Sequence, residues 1–577
     1  MQHNASLVRS FLSRVHLRQW SVLCIGALCA FLPSAFAQPL LYNRSVYNAA
    51  SYMPAGIPAA AIAQGSVFTV LGTKIGPATA AAATSFPLST TLAGVSLKVV
   101  QGNTTVSAIP TYVSATQIYA IMPSNAPLGM ASLQLVYNNS PSNYTPVQIT
   151  KTSFGIYTLE GTGLGPGALQ NYISATNQPI NAATISAQPG QTVTLWGTGL
   201  GPVSYSDSQA PVTGNLPVQV QVFVGGVSAQ VQYSGRNSCC SGLDQITFTV
   251  PNNAPLGCWV PVYVKTAGSV VSNYISMAIS SGGGACPTLL SPDIGSLFVD
   301  GGSLGEAIVA RAITNENVGV TAPVTVTSDY HLSFAFNIPG ARFPFNPAVT
   351  LPPAGTCAVY VEAGDMLNSN PLPGSLPNLP ISPLDLGPAF VLTGPNGTQT
   401  LTPTFTQPFS VRAGLLGGSI SNNILPSSLV LNPGSYSVTG SGGTGVGNFS
   451  ANFTIPPPFT WVNQSQLGVV NRTQPLTITL SGVAAGSAMY VVGVGEDLPT
   501  NSSATFTCSI PAGASSFTIP ADALANLPAT RINPLQSQDV IYVVAAQGGS
   551  VQNLNATGLT QGTTSAFLID GQTVVLQ

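Results

Sequence analysis

The feature that most limits how this chain can fold is an internal duplication. The block Gln245-Ile246 through Pro251, Asn253, Pro255 and Gly257 repeats Gln117-Ile118 through Pro123, Asn125, Pro127 and Gly129 at a constant offset of 128 residues. Further out, Ser272-Asn273-Tyr274 answers Ser142-Asn143-Tyr144, and Asn181-Ala182-Ala183 answers Asn48-Ala49-Ala50. The stretch Gly197-Thr198 to Gly201-Pro202 answers Gly72-Thr73 to Gly76-Pro77. Copies this similar share a fold, so two tandem modules are expected, over residues 40–152 and 153–281.

Inside each copy the apolar residues come in short runs, such as Val67 to Leu71, Val95 to Val100, Ile118 to Met122 and Leu133 to Tyr137, each bounded by Gly, Pro, Asn or Ser. Alternation with period two, broken by turn residues at short intervals, predicts antiparallel sandwiches and an all-β fold. At 577 residues the chain exceeds what one hydrophobic core serves. Beyond Pro287 the duplication stops but the strand texture continues, with only Gly305 to Thr314 suggesting a short helix. Two further β-rich blocks are expected there, over 288–458 and 459–577.

The Gly-Thr-x-x-Gly-Pro opening, the Gln-Ile-strand-Pro-x-x-Ala-Pro-x-Gly middle and the Ser-Asn-Tyr close resemble tandem immunoglobulin-like IPT/TIG modules. They come in the paired form of a domain family abundant in secreted acidobacterial proteins. The resemblance covers residues 40–281 and implies a β-sandwich fold in an exported protein, with no catalytic residues to carry over.

The first residues carry the pattern of a signal peptide: Arg9, Arg14 and Arg18, an apolar run from Trp20 to Phe31, then Ala35-Phe36-Ala37, with cleavage expected after Ala37 (residues 1–37). No later apolar run reaches membrane length, so no span is expected after its removal. Only 5% of residues are charged, against roughly 25% in an average soluble chain. Loss of the three leader arginines takes the formal charge from −2 to about −5. Such a chain has no basic field for phosphates, and nucleic acid is not an expected partner.

The two copies differ most between the module's tyrosine and its glutamine. Copy two, from Tyr233 to Gln245, carries seven residues more than copy one, from Tyr112 to Gln117. The longer loop holds Arg236, Asn237, Cys239 and Cys240 and ends at Asp244. By the constant offset, Cys258 stands where copy one has Met130. Six cysteines remain after the leader: Cys239, Cys240, Cys258, Cys286, Cys357 and Cys508. An even number in an exported chain points to disulfides. Cys258 is expected to bond Cys239 or Cys240, with the other member of that pair reaching Cys286. The alternative is a vicinal Cys239–Cys240 bridge with Cys258–Cys286. Cys357 and Cys508 form the last pair, stapling the two C-terminal blocks.

Residues for chemistry are scarce. His331 is the one histidine left after the leader, which excludes the usual multi-histidine metal site. The loops Gly161-Thr-Gly163-Leu-Gly165 and Gly197-Thr-Gly199-Leu-Gly201 lack the Lys-Ser/Thr of a phosphate loop and read as turns. The carboxylate groups Glu362 with Asp365, Glu496 with Asp497, and Asp293 with Asp300 and Glu306 fall in no catalytic or calcium motif, and Glu496-Asp497 reads as a solvated turn. Trp196, Trp259 and Trp461 are expected to be buried, Trp196 in the core. Neither a cofactor, nor a metal, nor a catalytic residue is assigned, and the chain is read as not an enzyme. The expectation is an exported β-sandwich array in adhesion, matrix or cell-surface binding, secreted or held at the surface, with an extracellular protein or polysaccharide as partner. The loop bearing Arg236, Asn237 and Asp244 is the candidate binding surface. A carbohydrate-binding or carbohydrate-active protein is the alternative.

Overall fold

The computed structural model describes residues 38–286, 297, 300–316, 324–340, 350–363, 382–401, 431–500, 502–530, 539–546 and 552–577. The leader therefore lies outside the described residues. The fold is all-β, built of strands with short turns and helical pieces such as Ala521–Leu524 between them.

The first module is a sandwich whose sheets follow from alternation. Val95–Gln101 buries Val95, Leu97 and Val99 and turns Ser96 and Lys98 outward. In one sheet, Leu40–Asn48, Val67–Thr73 and Gln117–Ile121 pair in that order. In the other, Val95–Gln101, Gly129–Tyr137 and Ser140–Thr150 do so. Thr104–Val113 belongs to both: its first half pairs with Val95–Gln101, and past Ala108 it pairs with Gln117–Ile121. The second module repeats this order. Thr192–Thr198 pairs with Asp244–Thr249, and Val227–Arg236 crosses from Val220–Val224 to Asp244–Thr249. Gly257–Thr266 then lies on the far side of Val220–Val224. The duplication seen in sequence is thus a duplication of topology.

The repeated Ser-Asn pair closes each sandwich. Asn143 accepts the Leu41 N–H at 2.8 Å and donates back to the Leu41 carbonyl, while the Ser142 hydroxyl accepts from Leu135 N–H. In copy two, Asn273 does the same with Ile156 at 2.8 and 3.0 Å and also donates to the Gly163 carbonyl. Ser272 accepts from Val264 N–H. An amide side chain with one donor and one acceptor edge can replace a missing ladder partner, which ties the first strand to the last across the seam. The tyrosine that follows has no common role. Tyr144 is 55% exposed, whereas Tyr274 is 4% exposed and stacks on Tyr263, which stacks on Phe223.

The copies also shift register within Gly257–Thr266. The ladder between Gly257–Thr266 and Ile275–Ile279 shifts between Gly257 and Val260, so one extra residue enters the strand. Beyond it, core residues Val260, Val262 and Val264 answer Ala131, Leu133 and Leu135. Trp259, not Cys258, therefore takes the place of Met130.

The C-terminal region differs from the expected division at 458. One nine-stranded sheet runs in the order Cys357–Ala363, Ser502–Ile510, Ala488–Asp497, Val540–Ala546, Gln561–Thr573, Gly302–Glu316, Val324–Ile338 and Ser382–Pro383, with Gln552–Asn553 beside Gln561–Thr573. Its centre is a parallel pairing of Gly302–Glu316 with Gln561–Thr573. Strands from both sides of Pro458 thus share one sheet. The tract Gly305 to Thr314 is strand, because neighbours on both sides supply the ladder that its alanines do not request. A four-stranded sheet, Gly397–Leu401, Phe390–Gly394, Gly434–Gly440 and Phe449–Ile455, adds Phe390, Tyr436 and Phe453 to the same core as Val491 and Phe506.

Candidate functional site

The loop after Val227–Arg236 is built inward rather than outward. Arg236 and Asp244 face each other across the end of the hairpin and pair at 2.7 Å, with side chains 3% and 0% exposed. The Arg236 guanidinium also donates to the Gly201 carbonyl at 2.9 Å. The second Asp244 oxygen accepts the N–H groups of Gly199 and Leu200, each at 2.8 Å. The Gly-Thr-Gly-Leu-Gly loop does cradle an anion, and that anion is the chain's own carboxylate. Successive backbone N–H groups make such a concavity, here those of Gly199 and Leu200, in a turn that Gly199 and Gly201 shape with positive φ. Copy one has Thr116 at the place of Asp244 and builds no equivalent. Burial pushes the Asp244 carboxyl up to about 6, against the pull of Arg236 and the two N–H donors.

This cluster sits at the seam between the two modules. Gly242 of the loop packs against Val67, its carbonyl accepts the Thr198 hydroxyl, and that hydroxyl accepts Val67 N–H at 2.8 Å. Asn48 donates to the carbonyls of Ser153 and Thr198, and Ser124 donates twice to Asp207, at 2.7 and 2.8 Å. Of the three residues singled out for binding, Arg236 and Asp244 are therefore buried in a clasp within the second module, with Gly65 of the first module beside the Arg236 guanidinium. Asn237 is half-buried, donating to Gln245 and accepting from Cys239 N–H. Exposed surface remains at the loop tip, Ser238 to Cys240.

The disulfides are Cys239–Cys240, Cys258–Cys286 and Cys357–Cys508. A bridge from the loop to Cys258 is ruled out by topology. The strand Asp244–Thr249 leads from the loop to the far end of the sandwich before the chain reaches Cys258, and six residues of strand span roughly 20 Å, far beyond the ~7 Å that a disulfide tolerates between Cα atoms. Cys286 instead arrives beside Cys258 because the tail after Ile275–Ile279 runs back along Ala183 to Ala187. Cys357 and Cys508 lie directly opposite each other on adjacent strands of the nine-stranded sheet, so this bridge crosses one sheet instead of joining two blocks.

The remaining candidates are scattered through the fold. Asp497 is buried, accepting the Thr500 hydroxyl at 2.5 Å, so Glu496-Asp497 is not a solvated turn. Glu362 and His331 lie on strands Cys357–Ala363 and Val324–Ile338, opposite Ser503 and Val309. Asp300 is exposed, and burial pushes the Glu306 carboxyl up to about 7. Asp293 and Asp365 lie outside the described residues. Trp461 is in the C-terminal core, and Trp259 packs on Leu164, Ala358 and Tyr360 between the second module and the nine-stranded sheet. Trp196 differs from expectation: it is half-buried on the outer face, its indole N–H donating to Gln170 at 2.9 Å. Among the described residues no cluster of three or more His, Cys, Asp or Glu is gathered.

Sequence reasoning missed a concavity of the C-terminal region. A groove of about 460 Å³ lies on the four-stranded sheet, lined by Thr393, Ser435, Ser437, Asn452 and Thr454, with the stacked rings of Tyr436 and Phe453 beneath. The signal was present as alternation: Phe449–Ile455 buries every second residue and leaves Ser450, Asn452 and Thr454 outside.

No family model matches the chain, and no curated protein does. Among solved structures it is similar to the plexin A4 extracellular region, at 14% identity over 42% of this chain and 19% of that one, with a TM-score of 0.14. It is also similar to domains 5–6 of the S-layer protein SbsC, at 14% identity over 42% and 98% of the two chains, with a TM-score of 0.15. A third is the FN1–FN3 tandem of chicken CNTN1, at 8% identity over 67% and 96%, with a TM-score of 0.11. The chain spans less than a fifth of the plexin's length. Among the described residues no helix is long and apolar enough to cross a membrane.

Proposed function

We propose that this chain is an exported, non-catalytic binding array: two IPT/TIG-like modules locked to each other and to a C-terminal β body, acting in the extracellular matrix or at the cell surface. One observation supports this reading most. Among the described residues, the three ion pairs brace the fold, and no cluster of three or more His, Cys, Asp or Glu is gathered. Arg236–Asp244 sits at the seam between modules, Lys265–Asp522 joins the second module to the C-terminal body at 2.7 Å, and Arg311–Asp329 bridges adjacent strands. Export is supported by the leader pattern and by three disulfides. A protein or polysaccharide outside the cell is the proposed partner.

The test is sedimentation of the purified mature chain with intact cells and secreted matrix of the source organism, beside a panel of ester, glycoside and peptide hydrolysis assays. Retention without turnover is expected; turnover by the purified chain overturns the reading. A carbohydrate-binding reading is favoured by the groove on the four-stranded sheet, whose lining is hydroxyl and amide without a formal charge, the chemistry that suits a neutral glycan. Loss of glycan retention on Asn452→Ala, with folding unchanged, supports it; retention unaffected by that change removes it.

A further inference from the structure

We infer that Cys239–Cys240 is a reversible thiol–disulfide exchange site whose state sets how firmly the first module is held to the second. This goes beyond the binding role proposed above and does not depend on it. Both cysteines are exposed at the loop tip, whereas Cys258, Cys357 and Cys508 are buried at 6%, 7% and 0% exposure and Cys286 is half-covered. Exchange requires a thiolate to reach a sulfur, so access alone ranks this bridge first. Adjacency adds a second property. When an external thiolate bonds one of the two sulfurs, the other is freed on the neighbouring residue, within reach to expel the attacker and restore the bridge.

The step balances as follows. One thiolate of a small dithiol attacks the bridge, forming a mixed disulfide and releasing the other cysteine as a thiolate, which takes a proton. The dithiol's second sulfur then displaces the protein sulfur. The protein gains two electrons and two protons, and the dithiol becomes a cyclic disulfide. A disulfide oxidant runs the sequence backward.

The loop couples this chemistry to the seam. Its turn is closed by Leu243 N–H on the Cys240 carbonyl and by Cys239 N–H on the Asn237 side chain. Two residues past Cys240, Gly242 packs on Val67 and accepts the Thr198 hydroxyl that itself receives Val67 N–H. Opening the ring frees the peptide between the cysteines, and with it the hold of Gly242 on the first module.

The experiment treats the folded, full mature chain with graded dithiothreitol without denaturant, alkylates, and maps masses, then follows amide exchange of the same samples. Cys239 and Cys240 are expected to be alkylated together before any other cysteine, with Val67 and Leu243 amides exchanging several-fold faster once they are reduced. A C239S/C240S chain is expected to exchange like the reduced protein and to ignore the dithiol. Finding either cysteine joined to a distant one, opening of a buried bridge first, or unchanged exchange at Val67 after reduction each overturns the inference.

Discussion

Arg236→Met isolates the clasp within the second module. The thioether covers the stem's apolar surroundings but offers no donor, so Asp244 keeps only the N–H groups of Gly199 and Leu200 and stands buried without its counter-charge. Removing one member of a buried pair costs about 3–5 kcal/mol. The two retained backbone donors place this case at the low end, about 3 kcal/mol, and the orphaned Gly201 carbonyl adds about 1 kcal/mol. Denaturant-dependent hydrogen exchange of the Asp244–Thr249 amides reads this locally, without assuming that the whole chain unfolds in one step. A second change, Asp244→Asn, removes the stranded charge and is expected to recover more than about 1.5 kcal/mol of the loss. If Arg236→Met costs under about 1 kcal/mol, or the double change is no better than the single, the ion pair is not what holds this loop.

Further predictions bear on the same architecture. The Asp244 carboxyl sits at about 6 when folded and about 3.9 when unfolded. The folded form thus binds that proton more tightly, and this group's contribution, full below about pH 4, is lost as pH rises through 6. The stability difference between wild type and D244N should move against the wild type over that range in denaturation titrations; a slope of opposite sign refutes the assignment. Asn273→Ala should destabilise its module more than Asn143→Ala does, because the third bond of Asn273, to Gly163, is buried at 2.8 Å whereas that of Asn143, to the Tyr144 carbonyl, is exposed at 3.5 Å; equal losses in exchange protection would contradict it. Gly65 has φ +71°, and a Cβ there would lie 2.9 Å from both the Arg236 guanidinium and the Gly201 carbonyl. Gly65→Ala should therefore cost about 2 kcal/mol at the seam, and less when Arg236 is already Met; an additive pair argues against the contact.

What the sequence decided is what short-range alternation and repetition can encode. The all-β class, the twin modules and the burial of Trp461 follow from period-two runs, turn residues and the duplicated block, since each depends on neighbours a few positions away. Of the disulfides, Cys357–Cys508 is the pair expected from sequence, whereas the expected bridge from Cys258 to the loop fails because the strand Asp244–Thr249 carries the chain away from that loop. What tertiary structure alone decided is where distant stretches meet. Leu304 and Gln561, 257 positions apart, are paired in the nine-stranded sheet, and no local pattern marks a parallel pairing of that span. The fate of the long loop was likewise hidden: Arg236 and Asp244 look like a charged surface in sequence, and the N–H groups of Gly199 and Leu200 with the carbonyl of Gly201 turn them into an interior clasp. A charge is buried only where several separate segments supply its partners at once, and that coincidence exists only in the folded chain.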